Sequence, residues 1–240
     1  MNLYCLHGFL GLPTDWSFLN SKFPQINQIY SLDLLNQPCL PFTEWAAEFN
    51  KSVRSQEKKS FKKPSILGYS MGGRLALHAL IENPEMYSCG IIVSANYGLD
   101  SMEERKKRLI LDNEWSKAFI GDPWSILMDK WNNQSVFKDS QSNYVREESN
   151  FSRKTLSEAL NIWSLGNQNF LKTEIENLST PILWCVGEFD SKFLEIAKNI
   201  QFQNKKSKIT VIQNAGHRVP WENPKEFILK VSEWLISPFS

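Results

Sequence analysis

The chain is poor in the residues from which disulfide scaffolds, zinc modules and phosphate-coating proteins are built. Its 240 residues include four cysteines and three histidines. Cys5, Cys39, Cys89 and Cys185 form no C-x-x-C pair, which leaves little for a zinc ribbon or a dithiol redox centre. Cys5 and Cys185 fall inside apolar, strand-like runs and read as reduced core thiols. No uninterrupted apolar run approaches the ~18 residues that a membrane span needs. The N-terminus, Met1-Asn2-Leu3-Tyr4, lacks a basic region, and its apolar stretch breaks at His7-Gly8, so it does not read as a signal peptide. The expected compartment is the cytoplasm. Charge of one sign is missing too. Lys plus Arg is 27 and Asp plus Glu is 26, a formal net charge of +1, which argues against a nucleic-acid partner. No metal or cofactor is expected, and the sequence carries no signal for an oligomeric state.

What is present is an ordinary globular composition, with 42% apolar and 22% charged residues. A chain of this length buries about 70–75% of its unfolded surface and needs no staples. Nine tryptophans and fifteen phenylalanines are a high aromatic load for that length.

Short apolar runs alternate with helix-period stretches. Residues 3–6, 29–34, 65–67, 90–93, 182–186 and 209–212 are nearly continuous in apolar character, as expected of parallel strands buried on both faces. Residues 42–58, 71–81, 191–202 and 224–236 read as helices, the last opened by Asn223 as N-cap and Pro224. The alternation predicts an α/β fold, a mostly parallel doubly wound sheet. Residues 97–179 break the rhythm. They show helical segments at 102–120, 124–131 and 151–163, joined by polar connectors such as 138–143, and no convincing strand. The expected organisation is therefore a core of residues 1–96 and 180–240 with a helical cap, 97–179, inserted into it. The basic run 58–63 reads as a solvated helix end and turn.

Gly68-Tyr69-Ser70-Met71-Gly72-Gly73 is a G-x-S-x-G pattern that follows a strand and opens a helix, the setting of a nucleophile elbow. A serine hydroxyl needs a histidine to take its proton, and the histidine needs an oriented carboxylate. In the chain order serine, acid, histidine, Asp190 and His217 each lie just past a strand and complete a Ser70–His217–Asp190 triad. Asp33 also ends a strand, but it precedes the serine and is the weaker candidate. His78, eight residues into the elbow helix, reads as a packing or surface residue. His7, followed by Gly8 and Phe9, reads as shaping an oxyanion loop, which makes the backbone N–H groups of Phe9 and Met71 the candidate oxyanion donors. Arg74, four residues after Ser70, shares its helical face. Arg108 shares a face with Leu111 and Trp115. Each arginine is either a substrate clamp or an ordinary structural charge.

These residues resemble the α/β-hydrolase superfamily. A narrower resemblance, to the SHCHC synthase family, is carried by several segments. They are Gly68 to Arg74, Gly187-Glu188-Phe189-Asp190-Ser191-Lys192-Phe193, Gly216-His217 with Glu222-Asn223-Pro224, and the cap residues Glu104-Arg105, Arg108, Trp115, Phe119, Trp131 and Val136-Phe137. The resemblance implies a lyase that eliminates pyruvate from 2-succinyl-5-enolpyruvyl-6-hydroxy-3-cyclohexene-1-carboxylate to give SHCHC, in menaquinone or phylloquinone biosynthesis, with the triad acting as a base. It also implies a small polycarboxylate substrate held by Arg74, Arg108, Tyr69 and Trp131. Tyr69 and Trp131 would, as isolated aromatics, be read as core.

The sequence departs from the family in three places. A further cap arginine that the family usually carries before Ser149-Asn150-Phe151 is here Glu148, with Arg146 and Arg153 nearby. Leu34-Leu35-Asn36-Gln37-Pro38 replaces a Gly-His-Gly turn. The chain starts on the oxyanion strand, so a sheet of about six strands is expected. A cytosolic carboxylesterase or thioesterase that uses Ser70 as a covalent nucleophile is the alternative activity. A catalytically silent receptor on the same scaffold is the third reading, disfavoured by the intact triad.

Overall fold

The computed structural model describes residues 1–58, 60, 62–138, 140 and 145–236. Six strands form one sheet: β1 (Asn2–Leu6), β2 (Gln28–Leu32), β3 (Ser65–Tyr69), β4 (Cys89–Val93), β5 (Ile182–Gly187) and β6 (Lys208–Ile212). Their order is β2-β1-β3-β4-β5-β6, and every neighbouring pair is parallel. The predicted α/β fold with six parallel strands is the observed one. The run at 29–34 ends early, at Leu32, because Asp33 accepts a hydrogen bond from the Leu35 N–H at 3.3 Å and turns the chain.

The pleat explains the continuous apolar runs. Tyr4, Leu6, Ile66, Ile92, Trp184 and Val186 enter one core, while Leu3, Cys5, Leu67, Ile91, Leu183 and Cys185 enter the other. Successive side chains point to opposite faces, so a strand covered on both sides must be apolar at every position. The first face is covered by α1 (Phe42–Gln56) and α2 (Met71–Glu82), the second by a 3₁₀ turn (Pro13–Leu19) and, at the end of the chain, by the final helix. All four cysteines are free and buried, as the apolar setting of Cys5 and Cys185 predicts.

Between β4 and β5 come α3 (Met102–Gly121), α4 (Trp124–Asn132), α5 (Arg153–Ile162) and the short α6 (Lys172–Glu176). The described residues of 97–179 hold no strand. The helix predicted at 151–163 begins only at Arg153. Phe151 is extended, and Ser152 caps the helix by accepting a hydrogen bond from the Thr155 N–H at 3.2 Å. Most of the connector 138–143 lies outside the described residues, as do Lys59 and Phe61 of the basic run; Lys58, Lys62 and Lys63 are exposed.

After β5 and β6 follow α7 (Ser191–Lys198), α8 (Val219–Glu222) and α9 (Pro224–Ile236). The helix expected over 191–202 stops at Lys198 because Glu176 captures the departing chain: its carboxylate accepts the Gln201 N–H and its carbonyl the Gln203 N–H, each at 2.8 Å. Asn223 caps α9 through the Glu226 N–H at 3.2 Å.

Candidate active site

Ser70 occupies the sharp turn between β3 and α2, with φ 51° and ψ −110°. A non-glycine residue held at positive φ is strained, and the strain is stored in the surrounding packing. The turn is fixed by the Ser70 N–H bonding to the Val93 carbonyl at 2.8 Å. It is also fixed by close backbone approach. A Cβ on Gly68 would collide with the Gly72 carbonyl, and one on Gly72 with the carbonyls of Leu6 and His7, so both positions require glycine.

The three predicted triad residues meet here. His217, on the loop after β6, sets Nε2 at 3.1 Å from Ser70 Oγ and Nδ1 at 2.6 Å from Asp190 Oδ2. A carboxylate accepts, so Nδ1–H donates to Asp190 and Nε2 is left to take the serine proton. Asp190 follows β5 and caps α7, its other oxygen accepting the Phe193 N–H at 3.5 Å. Both Asp190 and His217 are buried, and Phe193, Tyr69 and Phe137 surround the imidazole at ring distances of 4.5, 5.6 and 5.7 Å. Asp33 lies beyond β1, at the far edge of the sheet from β5 and β6, and takes no part.

His7 lies under the loop that follows β1. Its Nε2 accepts the Leu34 N–H at 3.0 Å, which leaves Nδ1–H to donate to the Gly8 carbonyl at 2.8 Å. Burial is the chief force holding its pKa below the usual histidine range, so it stays neutral. This bridge presents Phe9 to the same cavity that Ser70 and Met71 line. Met71 is the first residue of α2, so its N–H has no acceptor one turn back within that helix. Phe9 and Met71 thus both line the serine's cavity.

That cavity has a volume of about 230 Å³ and lies under the helical insertion. Arg74 and Arg108 line it, and so does Trp131 from α4. Lys192, which sequence reasoning quoted only as part of a motif, lines it as well. Set against these three cations, Asp112 is the one carboxylate among the described lining residues, a local balance of 3 − 1 = +2 around a chain of net charge +1. Burial, then the charge of Arg108, pulls the Arg74 pKa down to about 9. Burial, then Arg108 again, lowers that of Lys192. Crowded cations of this kind favour an anionic ligand. Ser94, at φ 45° and fully buried, also faces the cavity and has no hydrogen-bond partner for its hydroxyl among the described residues.

Other candidates sit differently. Arg108 is tied to Asp112 at 2.8 Å, a carboxylate one helical turn on that also accepts from Ser164 at 2.7 Å. Tyr69 stands behind His217 and lines a smaller adjoining pocket with Arg146 and Arg218. Glu148, at the position of the missing arginine, pairs with Arg153 at 2.6 Å, and Arg146 pairs with Asp15 at 2.6 Å. His78 is buried against Phe42, their rings 4.7 Å apart, and belongs to the packing. A larger cavity of about 790 Å³ at the opposite end of the strands, beside Met1, Tyr87 and Thr180, holds no comparable nucleophile–base pair. Among the described residues no cluster of side chains could hold a metal ion, and no helix is long and apolar enough to cross a membrane.

Comparison with known proteins agrees with this fold. Residues 3–230 match the model of the alpha/beta hydrolase family. A relative from Salmonella arizonae (strain ATCC BAA-731 / CDC346-86 / RSK2980) is 29% identical, over 92% of this chain and 88% of its own length. One from Serratia proteamaculans (strain 568) is 25% identical over 98% and 93%. Both bear the name 2-succinyl-6-hydroxy-2,4-cyclohexadiene-1-carboxylate synthase. The solved structure of MenH from S. aureus superposes with a TM-score of 0.87 at 23% identity, covering 100% of this chain and 95% of that one.

Proposed function

The chain belongs to the alpha/beta hydrolase family, and we propose that within it this protein is a lyase of menaquinone or phylloquinone biosynthesis. It expels pyruvate from 2-succinyl-5-enolpyruvyl-6-hydroxy-3-cyclohexene-1-carboxylate and leaves SHCHC. The observation that carries the reading is the pairing of an activated serine with a cavity lined by Arg74, Arg108 and Lys192. An esterase of simple acyl groups has no use for three cations beside its serine, whereas a substrate with several carboxylates does. The names of the two relatives point the same way.

The chemistry follows from the names of substrate and product. The ring proton at the carbon bearing the succinyl ketone is acidified by that ketone. Ser70 takes this proton as its own passes to His217, and Asp190 stabilises the imidazolium. The electron pair of the broken C–H bond becomes a ring double bond, the existing 3-ene shifts, and the C–O bond to the enolpyruvyl group breaks. Enolpyruvate leaves with its electron pair and is protonated to pyruvate. Negative charge that develops on the ketone oxygen meets the amides of Phe9 and Met71, donors fixed in place before the reaction. Arg74, Arg108 and Lys192 bind the carboxylates. Trp131 closes the apolar wall, and Tyr69 backs the catalytic histidine. Lys192 takes the part of the arginine that Glu148 replaces.

In this reading the insertion, residues 97–179, is a cap on the core formed by residues 1–96 and 180–240, and the whole acts as one unit. The four reduced, buried cysteines suit a cytoplasmic enzyme.

The test is direct. Purified protein supplied with the enolpyruvyl substrate is expected to release pyruvate and SHCHC in equal amounts. No turnover of that compound, with rapid cleavage of short p-nitrophenyl esters, would overturn the lyase in favour of the carboxylesterase or thioesterase.

A further inference from the structure

The half-buried arginines differ in what holds them. Arg108 faces Asp112, Arg146 faces Asp15 and Arg153 faces Glu148, each a charged partner. Among the described residues Arg74 has no carboxylate at ion-pair distance; its polar partner is Gln168, whose Oε1 accepts from Nη1 at 3.4 Å. Gln168 lies on the coil between α5 and α6 and is fully buried behind Arg74, outside the cavity lining.

Its amide can point only one way. Nε2 donates to the Asn96 carbonyl at 2.9 Å, and a carbonyl can only accept, so Oε1 is turned toward the guanidinium. The rings beside Arg74 are uncharged, and the charges that act on it from the cavity lining are those of Arg108 and, less strongly, Asp112. The guanidinium carbon stands 5.4 Å from the centre of the Phe42 ring, and that ring stacks on His78. Burial, then the charge of Arg74, lowers the His78 pKa to about 4, so the imidazole is neutral.

We infer that Gln168 is a positioning residue, which orients Arg74 through a neutral acceptor and so leaves the guanidinium charge free for a carboxylate of the substrate. The inference rests on the reading of Arg74 as a substrate-binding residue. A glutamate at 168 would have nearly the same shape and the opposite effect. Beside a half-buried arginine it stays ionised. Its carboxylate then competes with the substrate's for the same charge and meets the Asn96 carbonyl without a proton to share.

The experiment compares Gln168→Glu and Gln168→Met, in the full chain, on an anionic and a neutral substrate. The elimination substrate serves as the anionic one. The ester pair p-nitrophenyl hemisuccinate and p-nitrophenyl butyrate serves in parallel, so that a failed elimination assay sinks the proposed lyase without touching this inference. Q168E is expected to raise KM for the anionic substrate by about 10- to 100-fold, the range for a hydrogen bond to a charged group. Its kcat, and its KM for the neutral ester, should change little. Q168M removes the support but adds no charge, and should raise KM for the anionic substrate by about fivefold. Placed in an Arg74→Met background, neither change should cost anything more. If Q168E fails to fold, Q168M in the two backgrounds carries the readout. Loss shared equally by anionic and neutral substrates, or an unchanged ratio between them in the folded variants, would overturn the assignment.

Discussion

The carboxyl edge of the sheet and the helical insertion above it build opposite walls of one cavity by different means. At the sheet edge the functional side chains are set by backbone bonds between neighbouring strand ends: Ser70 N–H to Val93, Ser94 N–H to Cys185, Glu188 N–H to Ile212. Each of those strands is anchored in a core closed on both faces. The insertion reaches the cavity through side chains on helices that leave much of their own apolar surface wet: Ile110 is 62% exposed, Ile120 54% and Leu111 46%. An edge held by main chain can keep a triad within a few tenths of an ångström, whereas a wall of side chains can be altered one residue at a time. In the proposed reading the chemistry belongs to the first region, while substrate binding draws on both, with Arg74 and Lys192 from the core and Arg108 and Trp131 from the insertion.

The comparison can be broken from the sheet side first. Ser70→Ala and Asp190→Asn are expected to lower kcat by about 10³–10⁴-fold with an unchanged melting curve, read by steady-state kinetics and calorimetry. A loss of less than tenfold in either would remove the triad from the mechanism. On the insertion side, Phe119 is fully buried among Phe9, Trp115, Trp124 and Trp131. Phe119→Ala should destabilise the protein by about 3–5 kcal/mol and raise KM more than it lowers kcat. A pure kcat defect would mean that the insertion shapes the triad and not only the binding wall. Arg108→Met should weaken substrate binding less than Arg74→Met, because Asp112 already draws on the Arg108 charge. It should also lower the melting temperature, since Asp112 loses its cation. The smallest effect is on acid stability. His78 has a folded pKa of about 4 against an ordinary 6.5, so between those values the unfolded chain binds a proton that the folded one refuses, and stability falls as pH falls. The loss from pH 6.5 to about 5.5 is roughly 1 kcal/mol. His78→Phe should flatten the melting profile there; an unchanged slope would show that other groups govern it.

How much of this was legible in the sequence follows from the same division. Ser70 directly follows an apolar run and Asp190 and His217 come a few residues past one, and strand ends are where residues from distant segments converge, so a linear reading could assemble them. Arg74 was legible because one turn of helix ties it to Ser70. The Arg108–Asp112 pair was open to the same four-residue rule and was missed, because Leu111 and Trp115 drew the helix face instead. Lys192 stood in a recognised motif, but its direction depends on where Asp190 caps α7. Gln168 could not be read at all. In Gly166-Asn167-Gln168-Asn169 it resembles solvated coil, and only the route of that coil beneath Arg74 makes it a buried acceptor.

The order of the strands bears on how activity first arises. From β3 outward the sheet extends in chain order through β4, β5 and β6, and His217 follows the last of these. Ser70 can settle on its elbow early in synthesis, yet it waits for a partner 147 residues further along. Throughout that interval it is an unactivated hydroxyl. A growing chain thus lacks the base of its triad until His217, beyond the final strand, is in place.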